Sequence, residues 1–173
     1  MYIRTRVWLV LLVGLAAELG CNVGTPQRRP EVGGKIPGPV ATLSKPGSDD
    51  GQWLIPAKDY ASTRYSQLDQ ITLDNVGGLK VAWTFSTGNV RGHEAAPLVV
   101  NNTMYIVTPF PNDLYALDLT KPGAPAKWVY RPNPDPAAQG VACCDVVNRG
   151  ASYYNGRIYY NTLDAHTVAV DAN

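Results

Sequence analysis

The stretch Asn101–Leu119, NNTMYIVTPFPNDLYALDL, has an echo later in the chain at Asn155–Ala172, NGRIYYNTLDAHTVAVDA. The two superimpose at a spacing of about 54 residues with one single-residue gap. Each runs as a turn, an aromatic strand, a polar turn and a strand ending Ala-x-Asp, at Ala116–Asp118 and at Ala169–Asp171. In the first copy a glycine, Gly123, and then a tryptophan, Trp128, follow. A period near 50 residues with four short strands per unit is what a β-propeller blade requires. A β-sandwich is the other way to arrange such strands.

On either side of the repeat, strand follows strand. Lys80–Ser86, Ala96–Val100, Met104–Thr108, Leu114–Asp118, Lys127–Arg131, Arg157–Thr162 and Thr167–Asp171 all read as extended. Aromatic and β-branched residues dominate them, and NN, PND, KPGAP and NG supply turn chemistry between them. Thr72–Leu79 reads as one helical turn with Thr72 or Asp74 as its cap. The fold class expected is all-β, a propeller of which the first two blades or so are present. A ring needs at least four blades. The second copy stops at Asn173, where a glycine and a tryptophan would come next, so the expectation is a truncated piece of a longer reading frame.

Composition narrows the functional classes. Fifteen Lys and Arg stand against fourteen Asp and Glu, which gives no support for nucleic-acid binding or for attachment to an anionic membrane. Arg4 and Arg6 precede an apolar run from Val7 to Ala17. That run is shorter than the roughly 20 residues a bilayer requires but fits the core of an export signal. Residues 1–21 are therefore read as a cleaved signal peptide and the mature protein as exported. Cys21 invites lipid anchoring, although Glu18 stands where a lipoprotein signal carries an aliphatic residue. Residues 22–51 are rich in Pro, Gly and charge and read as a flexible leader, because such composition buries too little apolar surface to offset its ordering entropy. The folded domain is expected over 52–173.

The chemically informative segment is Gly140–Gly150, GVACCDVVNRG. Adjacent cysteines can bond only as a strained eight-membered ring, because neighbouring Cα atoms sit closer than ordinary disulfide geometry allows. Such a ring staples no loop, so something other than stability would explain it, for instance a rigid platform against a flat ligand. The other reading of Cys143 and Cys144 is two buried thiols. An oxidising destination favours the ring.

GVACCDVVNRG, together with GHEAAPLV at Gly92–Val99, resembles the methanol dehydrogenase large subunit, of the quinoprotein alcohol dehydrogenase family that uses pyrroloquinoline quinone (PQQ). The Ala-x-Asp units with their Gly and Trp look like that family's tryptophan-docking motifs, and Lys58–Thr72, KDYASTRYSQLDQIT, matches its opening blade. The resemblance covers about 120 residues, from Trp53 onward. It implies an eight-bladed propeller in the intact protein, a periplasmic location, and oxidation of a primary alcohol, methanol first, by hydride transfer to PQQ. A calcium or lanthanide ion would serve as Lewis acid and a periplasmic c-type cytochrome as electron acceptor. Assembly would be as a homodimer or with a small subunit. It implies that Glu94 bonds the quinone's periphery, that Cys143 and Cys144 form a disulfide against one face of PQQ, and that Arg149 pairs with a PQQ carboxylate. The metal ligands, the catalytic base and the second wall of the pocket are implied to lie beyond residue 173. The short connection Asn161–Thr167 looks more like the lanthanide members.

Other residues have plainer expectations. His93 reads as structural, His166 as an exposed turn residue, and Asp145 and Asn148 as braces of a tight turn. Trp83 and Trp128 read as packing between blades. Two other functions compete. One is a non-catalytic exported propeller scaffold of the outer-membrane assembly type, which the cysteine pair argues against. The other is a relative preferring ethanol or longer alcohols, with an added haem domain.

Overall fold

The computed structural model describes residues 51–142 and 145–173. The expected export signal over residues 1–21, the expected leader up to residue 50 and the cysteine pair Cys143–Cys144 lie outside the described residues.

Two antiparallel sheets form from the two sequence copies. The first contains β1 (Leu98–Val100), β2 (Thr103–Val107), β3 (Leu114–Asp118) and β4 (Ala126–Tyr130) in chain order, and the second β5 (Ser152–Tyr154), β6 (Arg157–Asn161) and β7 (Thr167–Asp171). Both open with the same device. Asn101 and Asn102 adopt φ of 47° and 58° between β1 and β2, and Asn155 and Gly156 adopt 45° and 77° between β5 and β6. These left-handed pairs are two-residue hairpin turns whose twist matches the strands they join. The next turn is Thr108–Asp113 in the first sheet and the shorter Thr162–His166 in the second, where the single-residue gap between copies falls.

The packing of the two sheets distinguishes a propeller from a sandwich. Cross-strand partners share a face, so Leu98, Tyr105, Ala116 and Trp128 form one row across the first sheet. That row joins a cluster with Tyr153, Ile158 and Val170 of the second sheet. The equivalent row in the second sheet is Ser152, Tyr159 and Ala169. It lies on the opposite face, where Ala169 is exposed. Thus one face of the first sheet meets the non-equivalent face of the second. Head-to-tail contact of this kind propagates around an axis, as propeller blades do. Hydrogen bonds reinforce it: among them, the Tyr105 hydroxyl donates to the Ala172 carbonyl at 2.8 Å, and the Tyr160 hydroxyl to the Asn112 carbonyl at 2.8 Å.

The innermost strands β1 and β5 lie side by side. Trp53 and Val99 exchange backbone hydrogen bonds of 2.8 and 3.0 Å, while the Leu54 carbonyl accepts from the Tyr153 N–H at 2.7 Å. The segment at 53–54 therefore ties both strands together. Trp128 lies between the blades as expected, 5.9 Å from the Tyr105 ring, and its indole N–H is buried with no partner among the described residues.

Three local expectations are corrected. Lys80–Ser86 is not a strand: Trp83 and Phe85 are half-buried and their neighbours exposed, the period of a strand, but no ladder forms along the segment. Phe85 instead packs edge-on against Tyr115, with ring centroids 5.4 Å apart, so the segment covers a sheet face by side chains alone. The helical turn near Thr72 is a 3-10 turn at Val76–Gly78, and neither Thr72 nor Asp74 caps it. Asn75 occupies the cap position, its side chain accepting from the Thr72 N–H and donating to the Gln70 carbonyl, both at 2.8 Å. The strand β5 and a short helix α1 (Ala138–Val141) have no counterpart in the sequence reading.

Candidate functional site

Each candidate ligand residue among the described ones sits just ahead of an innermost strand. Glu94 precedes β1 and Arg149 precedes β5. The two lead-ins run parallel, joined at Ala96 and Gly150. From Ala96 to Gly150 is the same 54-residue step as from Asn101 to Asn155, so the joined residues are equivalent positions of adjacent blades. Parallel alignment brings the flanking side chains to the same end of the blades, and Arg149 Nη1 lies 2.6 Å from Glu94 Oε2.

The backbone around Arg149 is tightly specified. Gly150 adopts φ of +112°, and a Cβ there would lie 3.3 Å from Pro56 Cγ and 3.4 Å from the Ala96 carbonyl oxygen. Glycine meets both the dihedral and the close approach without strain. Asn148 is buried and braced at both ends: Oδ1 accepts from the Gly150 N–H at 2.9 Å, and Nδ2 donates to the Asn161 carbonyl at 2.8 Å. Asp145 Oδ1 accepts from the Val146 N–H at 2.7 Å. Asp145 and Asn148 are thus turn braces, as their residue types suggested.

The side chains these braces present remain open. The Arg149 side chain is 82% exposed and that of Glu94 46%. An ion pair so exposed contributes about 0–1 kcal/mol to stability. Its structural consequence is orientation, since Glu94 takes one guanidinium nitrogen and the remaining donors stay accessible to another anion. Arginine binds carboxylates through two parallel N–H bonds in one plane. The donor set therefore fits the carboxylate rim of a planar polyanion such as PQQ. The cysteines expected to form the platform beneath such a ring, Cys143 and Cys144, lie outside the described residues.

The histidines are occupied elsewhere. His93 has one ring nitrogen 3.0 Å from Thr87 Oγ1 and the other 3.1 Å from the Arg91 carbonyl. His166 is exposed in its turn, with Nδ1 3.1 Å from Asp164 Oδ1. Hydrogen bonds from the Thr162 hydroxyl, the Asp135 N–H and His166 hold the Asp164 carboxyl well below the usual carboxylate range. Among the described residues no group of three or more His, Cys, Asp or Glu side chains could hold a metal ion.

The sequence reading missed Asn112, which is buried at the contact between the blades. The signal available was PND, a turn motif that marks the bend but not its partners.

Comparison with known proteins agrees with the fold. Residues 53–173 match the family model described as PQQ: glucose/ethanol/alcohol dehydrogenase, beta-propeller domain. The lanthanide-dependent methanol dehydrogenase of Methylacidiphilum fumariolicum (strain SolV) is 53% identical over 131 residues, 76% of this chain and 21% of that protein. Methanol dehydrogenase (cytochrome c) subunit 1 of Methylobacterium organophilum is 49% identical over 139 residues, 77% of this chain and 22% of that protein. The solved structure of a europium-containing methanol dehydrogenase aligns with a TM-score of 0.68 at 54% identity, covering 70% of this chain and 21% of that one. This chain spans about a fifth of the length of these relatives. They are dehydrogenases, and the exported-scaffold reading has no support among them. With a matching model across the whole described blade region, the chain belongs to the PQQ-dependent glucose/ethanol/alcohol dehydrogenase β-propeller family.

Proposed function

We propose that this chain is the N-terminal part of a PQQ-dependent alcohol dehydrogenase acting on a primary alcohol, methanol first, and that it supplies one wall and part of the rim of the cofactor pocket. The observation that carries the reading is the Glu94–Arg149 pair, held by the Ala96–Gly150 bridge between adjacent innermost strands. Arg149 binds a cofactor carboxylate through its open guanidinium edge, and Glu94 fixes the plane of that guanidinium while offering a carboxylate oxygen to the ring's periphery. Cys143 and Cys144 provide a disulfide platform with no rotamer freedom to lose. When bound, PQQ supplies a hydride acceptor, beside a calcium or lanthanide ion that acts as Lewis acid and is held by the rest of the whole protein. The somewhat higher identity to the lanthanide-dependent relative, 53% against 49%, favours a lanthanide.

The apolar run and paired arginines at the N-terminus support export to the periplasm. There a c-type cytochrome would accept the electrons, in line with the name of the 49% identical relative. In the whole protein the subunit would work as a homodimer or with a small subunit.

The test is cofactor binding by the whole protein in apo form. Arg149→Ala should weaken PQQ about 10- to 100-fold, the worth of a charge-assisted hydrogen bond pair, with Arg149→Lys intermediate. Titration curves of wild type and Arg149→Ala that coincide would overturn the assignment.

A further inference from the structure

The turn Thr108–Asp113 between β2 and β3 has no part in the proposed function, yet it is hydrogen-bonded to three separate regions. The Phe110 N–H donates to the Val146 carbonyl at 2.9 Å. The Phe110 carbonyl accepts from Asn89 Nδ2 at 2.8 Å. The Asn112 carbonyl accepts from the Tyr160 hydroxyl, and Asn112 Oδ1 from the Leu163 N–H, each at 2.8 Å.

These bonds close a circuit. Tyr160 and Leu163 flank Asn161, whose carbonyl accepts from Asn148 Nδ2. Asn148 lies two residues after Val146, and Val146 returns to Phe110 of the same turn. The loop carrying Arg149 is therefore held at three points: Val146 by the turn of the first blade, Asn148 by the second blade, and Gly150 by the lead-in to β1. Asn112 sets the first point relative to the second.

The residue type suits the position. Asn112 is 1% exposed and has φ of +63°. Asparagine tolerates that left-handed conformation, and its neutral amide leaves no buried charge while accepting from Leu163 and donating to the Thr108 carbonyl at 3.3 Å. Tyr160 is also buried, which keeps its hydroxyl protonated and donating.

We infer that Asn112 is a positioning residue: by locking the β2–β3 turn to the end of β6 it fixes the loop 145–150 and so the pose of Arg149 toward its anionic ligand. This rests on the reading of Arg149 as a cofactor-binding residue. The mount itself is a property of the chain and can be tested without cofactor.

The experiment uses the whole protein in apo form and three variants. Asn112→Gly keeps the left-handed backbone and removes the side-chain bonds. Tyr160→Phe removes one hydroxyl. Thr103→Val, which removes the 2.7 Å bond from Lys127 to Thr103 outside the circuit, is the control. Amide hydrogen exchange over residues 145–150 should accelerate about tenfold in the first two and stay at the wild-type rate in the control. PQQ titration should show affinity reduced about tenfold in the first two only, the scale on which supporting partners affect a bound group. Should Asn112→Gly fail to fold, Tyr160→Phe carries the test alone. Exchange over 145–150 that remains at the wild-type rate, or rises no more than in Thr103→Val at equal loss of thermal stability, overturns the proposal. A wild-type protein that binds no PQQ overturns the cofactor reading instead, and the exchange data then decide the positioning role by themselves.

Discussion

At the scale of single residues, the geometry around Arg149 depends on one atom that is missing. Gly150 has φ of +112° and contacts at 3.3 and 3.4 Å from where a Cβ would stand. Gly150→Ala should therefore cost about 1–3 kcal/mol from backbone strain, and it should separate the lead-ins that bring Glu94 to Arg149. Denaturant unfolding of the whole protein measures the first effect, and a PQQ titration the second; wild-type stability in this variant would refute the strain. Glu94 and Arg149 could be singled out from GHEAAPLV and CCDVVNRG, but their contact with each other could not. It arises from a parallel bridge between residues 54 apart, and such pairing leaves no mark on local sequence. Asn112 was invisible for a related reason. A turn motif specifies its own dihedrals, while the partners of its amide come from the next blade.

Elements were readable wherever periodicity and turn chemistry agreed. β3 and β7 fall where the Ala-x-Asp copies put them, and the NN and NG turns are left-handed hairpins. Lys80–Ser86 shows the limit: it has the composition and the alternating burial of a strand, yet strand status requires a neighbour to share hydrogen bonds, which sequence alone does not supply. β5 has no counterpart in the sequence reading because Ser-Tyr-Tyr lacks the aliphatic, largely β-branched run, Leu-Val-Val, that marks the equally short β1. The turn Thr162–His166 carries a pH dependence. Its Asp164 carboxyl accepts from the Thr162 hydroxyl, the Asp135 N–H and His166, and its pKa is lowered in the folded protein. A lowered carboxylate pKa stabilises the fold above the unfolded value of about 3.9, and that contribution fades as pH falls through the folded value. Wild type should accordingly lose stability relative to Asp164→Asn as pH is lowered from about 4 toward 2. The two proteins should run parallel from about pH 5 to 7. Denaturant midpoints across this range give the comparison, and a constant difference down to pH 2 would exclude the linkage.

At the scale of the molecule, the repeat in the sequence implied a propeller, and the structure adds the reason: unlike faces meet. Leu98, Tyr105, Ala116 and Trp128 are covered by the second blade, whereas Tyr159 and Ala169, their counterparts, have no blade over them among the described residues. Before the first blade the same incompleteness recurs. Tyr60, Tyr65, Ile71, Leu73, Leu79 and Val81 are all at least 60% exposed, within a stretch of little more than twenty residues. Large apolar side chains exposed so densely along one stretch point to a contact region or an aggregation hazard. The outer strand β7 adds a second hazard, because among the described residues it pairs only with β6 and leaves an edge open to other chains. Residues 52–173 produced alone should therefore self-associate at micromolar concentration and unfold without a sharp transition. Sedimentation velocity and calorimetry on that polypeptide provide the check. A monomer with a single reversible transition would mean that the two blades suffice as a folding unit, and that the exposed apolar surface serves another purpose than blade contact.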